Sequence, residues 1–288
     1  MKLGLLTASF PDVSLENVAT WASSVGFEAV EIACWPKSAG SSRRYAGTSH
    51  IDVAALSASE GREIVAALGE KDIAVSGLGY YPNPLHPDTA HREAVIAHLK
   101  QVIVAAGRMG VGLVNTFIGG DASKTVDANW DEALKVWPDI VAHARDNGVK
   151  LAFENCPMIF SHDEWPGGHN IAYSPRIWRR ILEAWSGDVG MNFDPSHLVW
   201  QMIDIARFIG EFGPAMLHVH AKDLMIDREG LYEIGILSAG IGWQVPRMPG
   251  LGEVDWSIFF SALYRSGYDG PVFIEPEDRR FEGSEEKV

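Results

Sequence analysis

The sequence predicts a single (β/α)₈ barrel, and three observations carry that reading. Short apolar, β-prone runs alternate with amphipathic segments from Leu3 to Glu275 without a break. No glycine-rich fingerprint follows the first run, which removes the main argument for an open doubly wound sheet. The last four strand-like runs end in Glu154, Asp194, His220 and Glu275, and a barrel places its chemistry at the carboxyl ends of its strands.

Taken in order, Leu3 to Ser9 reads as a buried strand, and Ser14 caps a helix with Asn17 at its third position and Gly26 closing it. Ala29 to Cys34 is the second strand, followed by a loop from Trp35 to His50 too long to be a minimal connection. Helix two covers Leu56 to Glu70, strand three Ala74 to Tyr81, and Pro82 to Pro87 forms a rigid turn before a helix from about Asp88 to Met109. Val111 to Ile118 is strand four. A helix from about Ala128 to Asn147, with Gly148 past its end, leads to strand five at Val149 to Glu154.

A second long loop, Asn155 to Tyr173, carries Trp165-Pro-Gly-Gly-His169, which could fold over a pocket mouth. Ser174-Pro175 is expected to cap helix five, with proline at the tolerated first position. Val189 starts strand six, which ends at Asp194 because Pro195 cannot continue a ladder. Helix six covers Trp200 to Glu211, strand seven Met216 to Ala221, and a third long loop Met225 to Glu253. Helix eight begins at Asp255 and strand eight spans Pro271 to Glu275. One domain over 1–288 is expected, with about 279–288 a flexible tail.

Composition narrows the class of function. Apolar residues make up 47% and charged residues 22%, as expected for a chain with a sizeable core. A formal charge of −14 disfavours nucleic acid and anionic membrane surfaces and points to a small-molecule partner. The two cysteines, Cys34 and Cys156, give no disulfide framework and suit a reducing, cytoplasmic setting. No run is long enough to span a bilayer, and Asp12 and Glu16 interrupt the first apolar run before it could serve as a signal peptide. A homo-oligomer stays open.

Three carboxylates and one imidazole cannot share a dry pocket without a cation, because like charges raise one another's pKa. Asp194 before Pro-Ser could simply cap the following helix, but four such strand ends point to one site. Oxygen-rich ligation by Glu154, Asp194, His220 and Glu275 suits one Mn²⁺ or Mg²⁺, with Co²⁺ or Zn²⁺ as alternatives, and calls for no nucleotide cofactor. Trp35, His50 and Tyr80 could wall a sugar ring, and Arg247 could anchor a phosphate. His218 is expected to face away from His220 into the barrel–helix layer.

The chain resembles the sugar phosphate isomerase/epimerase superfamily, the xylose-isomerase-like TIM barrels that include tagatose 3-epimerase and inosose dehydratase. The motifs are Phe153-Glu-Asn, Asn192-Phe-Asp-Pro-Ser-His197, His218-Val-His-Ala-Lys-Asp223, Pro249-Gly-Leu-Gly-Glu-Val-Asp-Trp256 and Phe273-Ile-Glu275. The resemblance implies that Glu154, Asp194, His220 and Glu275 bind the metal and that Glu154 and Glu275 double as acid and base. It also implies that His197 contacts a substrate oxygen. The implied activity is a metal-dependent isomerase or epimerase of a sugar or keto-polyol, working through a metal-chelated enediolate.

The epimerase pattern has an arginine a few residues after the strand-seven histidine, where this chain has Ile226. Lys222-Asp223 is closer to the dehydratases, in which the lysine would help a hydroxyl leave. A lyase acting on an inosose or 3-keto-glycoside at the same metal site is therefore the alternative. A DNA-repair endonuclease on a related barrel would need more histidines and a basic groove.

Overall fold

The computed structural model describes residues 1–37, 47–157, 168–236 and 243–281. Eight parallel strands close into a barrel: β1 (Leu3–Leu6), β2 (Ala29–Ala33), β3 (Ala74–Gly79), β4 (Leu113–Thr116), β5 (Lys150–Glu154), β6 (Val189–Phe193), β7 (Met216–Ala221) and β10 (Val272–Ile274). Their order around the ring is β1-β10-β7-β6-β5-β4-β3-β2. The two remaining strands, β8 (Asp223–Ile226) and β9 (Gln244–Arg247), form an antiparallel hairpin outside the ring.

The helices begin where local chemistry starts them. Ser14 accepts from Asn17 N ahead of α1 (Leu15–Ser24), and Ser57 and Glu60 close a reciprocal capping box on α2 (Ala58–Gly69). Asp88 and Thr125 cap the long helices α3 (Thr89–Met109) and α4 (Val126–Asp146). Ser174 precedes α5 (Pro175–Ala184) without a side-chain capping bond, so the proline alone marks that start. Asp255 caps α9 (Trp256–Arg265).

The helix expected over Trp200–Glu211 is two pieces, α6 (Ser196–Trp200) and α7 (Ile205–Phe212). Met202, at φ 55°, breaks the chain between them in a left-handed conformation that a methionine does not advertise. The third long loop contains the β8–β9 hairpin and a short helix, α8 (Arg228–Ile234). Of the expected tail, 279–281 form a 3₁₀ turn and 282–288 lie outside the described residues. Residues 38–46 and the Trp165–Gly167 part of the mouth loop also lie outside them.

Alternation along the strands sends bulky residues out to the helices and polar ones in. Phe153 meets Trp137 of α4 at 4.5 Å, and Phe193 stacks on Phe208 of α7 at 5.3 Å. The next residue along each strand, Glu154 and Asp194, is thereby turned to the barrel axis. Inside the ring Phe273 lies over Gly4, where an added Cβ would fall 2.4 Å from the ring, and stacks on His218 at 4.1 Å. That pair forms part of the floor on which the polar layers rest.

Candidate metal centre

The ends of β5, β6, β7 and β10 are neighbours on the ring, and they bring Glu154, Asp194, His220 and Glu275 together. His220 Nδ1 lies 3.3 Å from Glu275 Oε2 and 3.8 Å from Glu154 Oε2. Ligand atoms of these three residues all fall within 4.8 Å of one another. Asp194 enters from the side: its Oδ2 is 3.0 Å from His197 Nε2 and 2.9 Å from Lys222 Nζ. Its Oδ1 accepts from Ser196 N, so the carboxylate both caps the next turn and faces the cluster.

Lys222 sits among the acids, 2.9 Å from Glu275 Oε2 and 3.2 Å from Glu277 Oε2. His197 Nε2 also lies 3.5 Å from the other oxygen of Glu154, and Cys156 joins these two as a third ligand-type group within 4.8 Å. Glu154 therefore presents one oxygen to His220 and one to His197.

The charges perturb one another strongly. Burial raises the Glu154 carboxyl above the usual range, His197 opposes this and Glu275 adds to it. Burial would also raise Glu275, but the Lys222 ammonium and His220 outweigh it and hold the group at about 2. Asp194 is held well below its ordinary value because Lys222 and His197 overcome the cost of burial. Burial opposes charge on His220 and Lys222 as well, yet the surrounding carboxylates keep both protonated well above their ordinary values.

A cation fits this donor set. His220 Nδ1, Asp194 Oδ2 and His197 Nε2 are buried and make no hydrogen bond of acceptable angle, although oppositely charged groups stand within ion-pair distance. Buried polar atoms are rarely left so, and Glu154, His220 and Glu275, whose ligand atoms lie within 4.8 Å of one another, offer a donor set that suits a divalent ion.

Below this rim lies a second polar layer that the sequence reading passed over. Glu31 in the middle of β2 places Oε2 2.7 Å from His220 Nε2, and its other oxygen accepts from the Tyr81 hydroxyl. Asn192 donates to that hydroxyl at 3.0 Å and accepts from His218 Nδ1 at 3.0 Å. His218 therefore faces the same side as His220, with ring centroids 5.2 Å apart. Residues two apart on a strand share a face, so the expectation that His218 turns away was an error of parity. Burial holds its imidazole neutral, with a pKa of about 3 despite nearby Glu31.

The remaining sequence candidates are distributed unevenly. Trp35 packs against Tyr81 at 6.0 Å, at the edge of the inner layer. Tyr80 points the other way, packing on His98 of α3 at 4.7 Å, so Tyr81 is the inward residue of the pair. His50 bonds through Nε2 to Thr7 O and borders an outer groove with residues of α2. Arg247 is buried in the hairpin and paired with Asp278 at 3.3 Å, which commits it to holding β9 against the segment after β10.

Asparagines and one aspartate fix the rim. Asn155 donates to Asp194 O at 2.8 Å and accepts from Asp194 N at 2.7 Å. Asn170 accepts from Gly119 N and donates to Glu154 O, joining the ends of β4 and β5. Asn83 makes the same two-way bond with Gly120, between the segments after β3 and β4. Asp223 accepts from Leu224 N, Val254 N, Gly250 N and Trp256 Nε1, which pins the Pro249–Trp256 motif to the end of β7. Gly252 admits this carboxylate, since a Cβ there would lie 2.3 Å from Asp223 Oδ1.

The chain is thus a closed parallel barrel that gathers carboxylates and histidines at its carboxyl rim in groups that could hold a metal ion. Residues 19–288 match the xylose isomerase-like TIM barrel family, and the chain belongs to it. The uncharacterized protein YfiH of Bacillus subtilis is 28% identical over 96% of this chain and 93% of its own length. Inosose dehydratase of Lacticaseibacillus casei is 25% identical over 65% of this chain and 61% of its own length.

Solved structures share the fold at lower identity. The probable 3-DHS dehydratase AsbF from Bacillus anthracis superposes with a TM-score of 0.72 at 15% identity, over 100% of this chain and 95% of that one. D-psicose 3-epimerase from Clostridium cellulolyticum H10 gives 0.68 at 18%, over 99% and 87%. An IolI protein with a bound zinc atom gives 0.69 at 17%, over 97% and 90%. Among the described residues no helix is long and apolar enough to cross a membrane.

Proposed function

We propose that this chain is a divalent-metal-dependent isomerase or epimerase of a sugar or keto-polyol, with Glu154, Asp194, His220 and Glu275 as ligands and Mn²⁺ or Mg²⁺ as the ion. The observation that carries the reading is the placement of two glutamates about one imidazole nitrogen, with Glu275 Oε2 and Glu154 Oε2 3.3 and 3.8 Å from His220 Nδ1. Two carboxylates beside one donor nitrogen can each exchange a proton with a substrate held there. Bound in that set, a divalent ion supplies Lewis acidity towards a carbonyl and its neighbouring hydroxyl.

The protein's own groups then divide the proton work. Glu154 and Glu275 serve as acid and base, one taking the proton from the carbon beside the carbonyl and the other returning one. His197, between Glu154 and Asp194, donates to a substrate oxygen. Trp35 and Tyr81 offer ring faces to the apolar side of the sugar. The acidic chain and its count of only two cysteines support a reducing, cytoplasmic setting.

Lys222 favours a second reading, a lyase on an inosose or 3-keto-glycoside. Its ammonium stands 2.9 Å from Glu275, where it can protonate a departing oxygen once the carbon acid has been ionised. The names of the dehydratase relatives support the same reading. Incubation with Mn²⁺ and panels of keto-sugars, keto-inositols and 3-keto-glycosides in D₂O, read by mass spectrometry, tests both. Deuterium gained at constant composition supports the epimerase, loss of water or an aglycone supports the lyase, and no exchange with any class overturns both.

A further inference from the structure

We infer that Glu31 is a positioning residue for His220, holding the ring with Nε2–H turned down the barrel so that Nδ1 is the nitrogen offered to Glu154 and Glu275. The inference rests on the metal reading above. Its geometry is independent of the rim carboxylates, because Glu31 comes from β2, across the ring from β7.

Both oxygens of Glu31 are engaged. Oε2 lies 2.7 Å from His220 Nε2, and Oε1 accepts from the Tyr81 hydroxyl, itself held by Asn192 at 3.0 Å. Glu31 is fully buried, and an ionised carboxylate is retained at such a depth only when paired. His218 does not compete for it: its Nδ1 is committed to Asn192, and its Nε2 lies 3.7 Å from Glu31 Oε2. With Nε2 occupied from below, Nδ1 is left bare of hydrogen bonds and 3.3 Å from Glu275.

The fold also makes room for this carboxylate. A Cβ at Gly79 of β3 would stand 2.4 Å from Glu31 Oε1 and 3.1 Å from the Tyr81 ring. Position 79 must lack a side chain for Glu31 to reach across the axis. A metal-binding histidine whose second N–H is fixed by a carboxylate keeps one tautomer and one orientation, and losing such a partner typically weakens metal binding about 10–100-fold.

The test measures Mn²⁺ alone against the full-length chain, following free ion by electron paramagnetic resonance, in wild type, Glu31→Gln, Glu31→Ala and Gly79→Ala. Glu31→Gln keeps a neutral acceptor and should weaken binding about tenfold, and Glu31→Ala towards a hundredfold. Because Glu31→Gln also breaks a buried ion pair, circular dichroism sets a temperature at which each metal-free variant is fully folded, and the Mn²⁺ affinities are compared there. Gly79→Ala should weaken Mn²⁺ binding in the same direction by displacing the carboxylate.

Nitrogen-15 spectra of Zn²⁺-loaded wild type read the tautomer directly and need no variant to fold; they should show the proton on Nε2. Coordination through Nε2, or Mn²⁺ affinity in Glu31→Gln within about twofold of wild type, overturns the inference while leaving the metal reading intact. A wild-type chain that binds neither ion overturns the metal reading and this inference with it.

Discussion

Asn155 brackets the backbone of Asp194, donating to its carbonyl and accepting from its N–H across the ends of β5 and β6. A buried aspartate facing Lys222 and His197 is thereby held through its main chain as well as through the bond its Oδ1 accepts from Ser196 N. Removing the amide in Asn155→Ala leaves two buried backbone groups unpaired, at a cost of about 1–3 kcal/mol each. Chemical denaturation should show that loss. A Mn²⁺ titration should show weaker binding beyond it, because Asp194 is no longer held in place.

Asp194→Ala and His220→Ala should each abolish tight metal binding while leaving the barrel folded. Their side chains contribute to the rim and not to the aromatic packing between strands and helices. Elemental analysis after dialysis, with circular dichroism as the folding control, checks this. Full metal content in both variants would show that the ligand assignment is wrong.

Glu154→Gln and Glu275→Gln keep an oxygen at each position and remove the group that exchanges a proton. Each should retain appreciable metal yet slow deuterium exchange into substrate by about 10²–10⁴-fold, the contribution of a positioned general acid or base. Exchange near the wild-type rate in both would transfer the proton work to His197 or Lys222.

The pH dependence of the metal-free chain follows from Lys222. Glu275 titrates at about 2 in the fold against an ordinary 4.5. Its contribution to stability is thus present above pH 4.5 and lost as the pH falls from there towards 2. Asp194 acts with the same sign, whereas Glu154, raised by burial, favours folding on the acid side. Lys222→Met strips the ammonium from Asp194, Glu275 and Glu277. We expect a loss of about 3–5 kcal/mol near neutral pH, as for a buried ion pair that loses one partner, and an acid limb that begins at higher pH. Urea unfolding across a pH series in the presence of chelator measures both effects.

The strand ends were legible because each broke an apolar run with a charged residue or a proline, as Glu154 and Asp194-Pro195 do. The inner layer was not. Glu31 lies inside Ala29–Ala33 with apolar neighbours on both sides, and nothing local says whether a lone glutamate in such a run faces a helix or a histidine across the ring. The choice between Tyr80 and Tyr81 turns on which residue last keeps strand alternation, and a shift of one position exchanges the two faces. The hairpin was obscured because β9 is four residues long and contains Pro246, a poor strand signal except at an edge. Arg247 looked like a loop arginine because its partner, Asp278, lies 31 residues away.

The amides of Asn83, Asn170 and Asn155 run along the rim from the end of β3 to the end of β6, and none of the three carries a charge. Salt screens charges and protons alter them, but neither weakens an amide-to-backbone bond to the same degree. The frame on this side should therefore keep its shape over ranges of ionic strength and acidity that redistribute protons among Glu154, Glu275 and Lys222. Electrostatic change at the centre would then be felt as altered chemistry well before it is felt as altered geometry.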